Sequence, residues 1–188
     1  MKKYEFTGET KVIFGTTLHQ IIAVRDFSDV TSGEIGGWIE KEENLSHAGD
    51  AWVYGNACVY GNAQVFGDAQ VFGDAWVSGD ARVFGDARVS GDARVSGDAR
   101  VSGVGLALWI GGIGSRNGTT TFFAGEDKTI KVACGCFFGT IDEFSAAVEK
   151  THGDNEHGRV YRLAIEMAKA RILPHMHAAG DMEQAVQK

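Results

Sequence analysis

The stretch Gly49–Ser102 reads GDAWVY GNACVY GNAQVF GDAQVF GDAWVS GDARVF GDARVS GDARVS GDARVS, nine uninterrupted hexapeptides of the form Gly-(Asp/Asn)-Ala-x-Val-x. In an extended chain residues two apart share a face. Ala51 and Val53 therefore point to one side, and Trp52 and Tyr54 to the other. Gly followed by Asp or Asn then turns the chain, because Gly adopts positive φ freely and Asn and Asp tolerate it. A short strand and a sharp corner, repeated, wind into a prism with Ala and Val inside. The composition agrees with this. The 188 residues include 26 Gly and 1 Pro, against averages of roughly 7% Gly and 5% Pro. Ten of the glycines are Gly49 to Gly103 at intervals of six. Proline is excluded from stacked strands, which need every N–H for the ladder.

The pattern resembles the hexapeptide left-handed parallel β-helix, in which three hexapeptides make one triangular coil. That resemblance implies three full coils. Residues eighteen apart then stack about 4.8 Å from one another. One face carries Trp52/Gln70/Arg88 beside Tyr54/Phe72/Ser90. The second carries Cys58/Trp76/Arg94 beside Tyr60/Ser78/Ser96. The third carries Gln64/Arg82/Arg100 beside Phe66/Phe84/Ser102. Outward Trp52, Tyr54, Tyr60, Phe66, Phe72, Trp76 and Phe84 form a large apolar surface, of the kind that marks an interface. The expectation is a homo-oligomer, a trimer, with the chain's own terminal segments as the competing cover. Corner Asp residues read as turn-formers.

Residues 1–42 read as an N-terminal β cap with a degenerate first coil. Ile39 and Leu45 keep the six-residue rhythm, with Leu45 in the Ala register. An atypical terminal repeat shields an open strand edge. The run from Gly36-Gly37-Trp38-Ile39 through Asn44-Leu45-Ser46 into the repeats resembles YdcK-like hexapeptide proteins, many of them encoded by phages and prophages. The resemblance covers roughly residues 18–102 and implies a fold and a genomic setting.

The hexapeptide region spans 43–103, and a second module follows over 104–173. Leu106–Ile113, Thr119–Ala124 and Thr129–Phe138 read as strands, with an Asn117-Gly118 hairpin signal between the first two. Thr140-Ile141-Asp142-Glu143 is a capping box. A helix with Ile141, Phe144, Val148 and Thr151 on one face follows, stopped at Gly153. A second helix spans Glu156–Leu173 and stops at Pro174, leaving 174–188 as a mobile tail with His175 and His177. The whole is mainly β, a β-helix followed by a small β-β-β-α-α module of α+β type. Gly114-Ser115-Arg116, Cys134-Gly135-Cys136-Phe137 and Thr151-His152-Gly153-Asp154-Asn155 are similar to segments of other phage proteins of this sort, a likeness that supplies no ligand.

Candidate chemistry concentrates in that module. The glycine-rich turn offers backbone N–H groups and a guanidinium to an anion, with Gly114, Ser115, Arg116, Asn117 and Thr119 as candidate ligand contacts. It lacks the Lys-Ser/Thr pair of a phosphate loop. Cys134, Cys136, His152 and His157 supply zinc-type donors. On a single strand the two cysteines would face the same way, but free Cys is commonly a small buried apolar residue. The expectation is therefore no metal and no cofactor. The best-known proteins resembling these repeats are acyltransferases and carbonic-anhydrase-like zinc enzymes that use His projecting from the coil wall. No His lies between Gly49 and Ser102, so the expectation is that the chain is not an enzyme.

The reading that results is a non-enzymatic, phage-type scaffold. Its partner is a host protein or a small anionic ligand, and its setting is anti-defence inhibition. The alternatives are a structural phage fibre or tip and an enzyme centred on Cys134, Cys136 and His152. The net charge of −7 disfavours nucleic acid as a partner. The longest apolar run, Val104–Gly114, is too short and glycine-rich to span a bilayer. The expected location is cytoplasmic, in the host cytoplasm if phage-encoded.

Overall fold

The computed structural model describes the backbone of residues 2–103 and 105–186, with side chains through 176. The chain forms two compact units, Met1–Val104 and Gly105–Lys188.

The first unit is a parallel β-solenoid of about four turns. Its nine two-residue strands are β4 (Trp52–Val53), β5 (Cys58–Val59), β6 (Gln64–Val65), β7 (Gln70–Val71), β8 (Trp76–Val77), β9 (Arg82–Val83), β10 (Arg88–Val89), β11 (Arg94–Val95) and β12 (Arg100–Val101). They pair in parallel as β4-β7-β10, β5-β8-β11 and β6-β9-β12. Trp52 lies on Gln70, Cys58 on Trp76 and Gln64 on Arg82, the expected columns. Each strand N–H points to the following coil, as in Trp52 N–H to Ala69 C=O at 2.9 Å and Trp76 N–H to Ala93 C=O at 2.9 Å. The Ala and Val of all nine repeats are buried, and they fill the interior. Burying each Val side chain contributes about 1.5–3 kcal/mol.

The corners explain the glycines. Gly67 has φ +71°, and a Cβ there would sit 2.9 Å from the backbone nitrogen of Gly85 in the next coil. Both the left-handed backbone and the close approach demand Gly.

The N-terminal cap solves a hydrogen-bond problem. With N–H groups pointing forward, the carbonyls of the first full coil point back and need donors. Strand β3 (Ile35–Ile39) lies on β5 and supplies some of them, with Trp38 N–H to Ala57 C=O at 2.9 Å. Ser46 N–H reaches Val65 C=O at 2.9 Å. The buried Asn44 carboxamide donates to Gly61 C=O at 3.1 Å and Ala63 C=O at 2.8 Å. Lys3, fully buried, donates its ammonium to Ala51 C=O at 2.6 Å and Gly49 C=O at 3.3 Å. This desolvation pushes its pKa down to about 8. The cap coil is longer than a repeat, because Trp38 pairs with Cys58 and Leu45 with Val65. Leu45 thus falls in the Val register, not the Ala register expected from strict spacing.

Strands β1 (Tyr4–Ile13) and β2 (Thr16–Ala23) form a hairpin that continues the sheet of β3. The segment buries Trp52 completely, with Tyr4 and Phe27 edge-on at 6.1 and 5.4 Å. Trp52 is therefore withdrawn from the expected interface, because the chain's own N-terminus covers it.

The second unit is an antiparallel sheet in the order β13 (Ala107–Ile113), β14 (Gly118–Ala124), β15 (Ile130–Cys134), β16 (Phe137–Thr140), followed by α1 (Ile141–His152) and α2 (Glu156–Val186). The expected third strand is divided. Gly135, at φ +59°, and Cys136 form a two-residue turn, and Cys134 pairs with Phe137. The capping box forms as expected, with Thr140 N–H to Glu143 Oε2 at 2.8 Å and Glu143 N–H to Thr140 Oγ1 at 3.3 Å. Phe144 on α1 meets Phe122 at 6.1 Å, Phe137 at 5.1 Å and Tyr161 at 5.4 Å, binding sheet and helices into one core.

The helix stop expected at Pro174 does not occur, since α2 continues to Val186. Proline removes one intrahelical bond and crowds the preceding turn, yet the helix carries on past it. The His175 ring adds a contact to the helix, its Nδ1 lying 2.8 Å from Arg171 C=O. The ring also packs on Gly105, so His175 does not belong to a free tail. The side chain of His177 lies outside the described ones.

Candidate functional site

Three elements of the second unit converge near the β15–β16 turn. The register of β14 and β15 sets Thr120 opposite Cys134. Thr120 Oγ1 donates to Cys134 Sγ at 3.1 Å. From α2, the Tyr161 hydroxyl lies 3.6 Å from the same sulfur. That hydroxyl also presses against Gly114, where any Cβ would collide with it. Arg116 lies over the turn, its guanidinium 3.6 Å from where a Cβ of Gly135 would stand.

Burial, together with the hydrogen bond to Cys134, pushes the Tyr161 pKa up to about 12, while the Arg116 charge opposes the rise. Tyr161 therefore keeps its proton at neutral pH and remains a donor. Thr120 and Tyr161 are 1% and 8% exposed, whereas Cys134 is half-buried.

Of the expected ligand contacts, Gly114 and Arg116 belong to this cluster. Ser115 and Asn117 are exposed on the turn, Asn117 at φ +49°. Thr119 points to the other side of the strand, toward Gly111. Its neighbour Thr120 is the threonine that reaches the sulfur. Thr120 and Tyr161 were not singled out from sequence. Strand alternation from Phe122 marks Thr120 as inward-facing, but the partner of Tyr161 depends on a tertiary contact.

The four zinc-type residues do not converge. Cys136 is exposed on the turn, while Cys134 ends the strand, so they do not share a strand face. His152 stacks toward Tyr161 at 5.6 Å and His157 at 5.7 Å, which puts Tyr161 between His152 and Cys134. Among the described residues no group of three or more His, Cys, Asp or Glu is placed to hold a metal.

On the solenoid, Phe66 and Phe84 stack at 5.0 Å and 4° between planes. Trp76 is packed by Phe14 of the β1–β2 turn at 5.4 Å and by Tyr60 at 6.4 Å. Tyr54 donates its hydroxyl to Asp29 at 2.9 Å. Tyr54, Tyr60, Phe66, Phe72, Trp76 and Phe84 are half-buried. Among the described residues no helix is long and apolar enough to cross a membrane.

The first unit defines a class, the β-solenoid proteins built from hexapeptide repeats. Within it, a family model described as the YdcK β-solenoid repeat matches residues 75–91 and 81–95. A protein of Escherichia coli (strain K12) named uncharacterized acetyltransferase YdcK is 40% identical over 62 residues, covering 29% of this chain and 19% of that protein. The chain thus carries YdcK-like solenoid repeats and spans about a fifth of that relative's length. The relative's name overturns the expectation that the chain is not an enzyme. Histidines missing from the coil wall bear on only one placement of such chemistry.

Proposed function

We propose that the solenoid is a rigid, oligomeric scaffold and that the second unit is the working end, binding a small anionic ligand at the Gly114–Asn117 turn. The observation that carries this reading is the exposed Arg116 guanidinium over Gly135, beside the buried hydroxyl of Tyr161. A guanidinium with neighbouring hydroxyl and backbone donors recognises phosphate or carboxylate. For a phage-encoded chain, sequestering an anionic host signal would serve as an anti-defence measure.

The test is mass spectrometry of small molecules released from purified protein on denaturation. An anionic compound from the wild type, absent from Arg116→Ala, is expected. The same compound at the same yield from both proteins would sink the reading.

A second reading, acyl-group transfer, is favoured by the name of the E. coli relative. It places the reacting group in the same cluster, and the anionic ligand then becomes the acyl donor.

A further inference from the structure

Helix α2 carries two apolar faces. The inner one, Tyr161, Ala164, Ile165, Ala168 and Ile172, is buried. The second runs Val160, Leu163, Met167, Ala170, Pro174, in alternating steps of three and four. Such spacing draws one seam along a helix. At 3.6 residues per turn this seam lies on the side of α2 away from the buried face. Leu163 is 69% and Met167 55% exposed. Ala170 and Pro174 are exposed as well, and Val160 is half-buried. A helix that buries one stripe ordinarily carries polar residues on the opposite one. The start of α2 is held firmly, because Arg162 donates to Glu149 at 3.0 Å, to Asp154 at 3.0 Å and to Gly153 C=O at 2.9 Å. The seam is therefore presented on a fixed helix.

The charges beside the seam say what fits it. Glu166 and Arg171 flank it on opposite sides, and both are exposed. When two parallel helices share such a seam, the Glu166 position faces the position five residues on in the other helix. That position is Arg171, so symmetry forms two Glu166–Arg171 pairs. In the antiparallel arrangement that sets Leu163 against Met167, Glu166 meets Glu166 instead, and like charges repel. The seam thus complements a second copy of itself in parallel register.

We propose that α2 is a self-association seam through which two copies of this chain pair in parallel. Leu163, Met167 and Ala170 of each copy meet their equivalents, and Glu166 of each bonds Arg171 of the partner subunit. The small Ala170 lets the helix axes approach within about 8–10 Å. The seam over residues 160–174 is about 22 Å long. It lies apart from the aromatic columns of the solenoid and from the Gly114–Asn117 turn, so it goes beyond the anionic-ligand reading and does not depend on it.

The test uses the full-length protein with the exposed Cys136 replaced, as Cys136→Ser. Leu163→Cys, Met167→Cys and Ala170→Cys are each added to it and treated with a short bis-maleimide. A parallel pair sets identical positions face to face, so each variant should give a crosslinked dimer on denaturing gels, above the Cys136→Ser parent. Lys150→Cys, at an exposed position of α1, should not. Leu163→Glu with Met167→Glu should halve the solution mass measured by light scattering. Both positions are exposed, so the thermal transition should be kept. Glu166→Arg or Arg171→Glu alone should weaken the pairing about tenfold, since two ion pairs are lost at once. The double exchange should restore it, which general surface damage would not do. Arg116→Ala should leave the mass unchanged. No crosslinking at any of the three seam positions, equal crosslinking of Lys150→Cys, or an unchanged mass in the double glutamate variant would overturn the proposal.

Discussion

The solenoid and the C-terminal unit use their polar atoms in opposite ways. In the solenoid every coil repeats the last, and backbone groups are satisfied by the next coil along. In the C-terminal unit, Thr120 and Tyr161 come from different elements and meet at one sulfur, with Arg116 over the adjoining turn. Repetition gives rigidity but makes every position equivalent to another. Distinct chemistry arises where the repeat stops.

The largest effect that probes this contrast is Val71→Asp. It places an unpaired charge in the dry interior, at a cost of several kcal/mol. Loss of the cooperative thermal transition in circular dichroism is expected; a near-normal melting curve would break the account of the interior. Next come the corners. Gly67→Ala should cost about 2 kcal/mol or more, combining left-handed backbone strain with the clash against Gly85. Gly55, at φ +57°, has nothing within 4 Å of a Cβ. Gly55→Ala should therefore cost only the backbone term, about 1 kcal/mol. Equal losses in urea titrations would show that coil stacking is not what selects glycine.

Lys3 gives a pH signature of the cap. Its folded pKa, about 8, lies below the ordinary 10.5. Between these values the unfolded chain binds the proton and the folded chain does not. Stability from this group therefore rises with pH across that window, by on the order of 2–3 kcal/mol. The tyrosines Tyr4 and Tyr54, whose pKa values burial raises, oppose this above pH 10. The difference in slope between wild type and Lys3→Met isolates Lys3, and identical slopes would remove it from the cap. The smallest effect is Thr140→Ala in the second unit, about 1 kcal/mol through loss of the α1 cap, measured by the same unfolding titration.

What was legible in the sequence follows the same division. The columns of the prism follow from a strict period and from nothing else. Where the period slips, spacing alone misplaces residues. The two extra residues in the cap coil moved Leu45 from the Ala to the Val register. Trp52 holds its expected outward position, but Tyr4 and Phe27 lie over it, and no spacing rule indicates a cover from a distant segment. In the C-terminal unit local signals held, as at the Thr140 capping box. The cluster at Cys134 was only half visible. Gly114, Arg116 and Cys134 stood out by type, whereas Thr120 and Tyr161 gain their role from strand register and helix packing. Pro174 looked like a stop because local backbone rules disfavour it, yet α2 passes through it.

The central claim is that the working site lies in the C-terminal unit and not on the solenoid wall. Isothermal calorimetry with inorganic pyrophosphate on the wild type, Arg116→Ala and Arg82→Ala tests it most directly. Arg82 is an exposed arginine of the third solenoid face. The account predicts binding that Arg116→Ala abolishes and Arg82→Ala leaves intact. Binding lost in Arg82→Ala and retained in Arg116→Ala would contradict it.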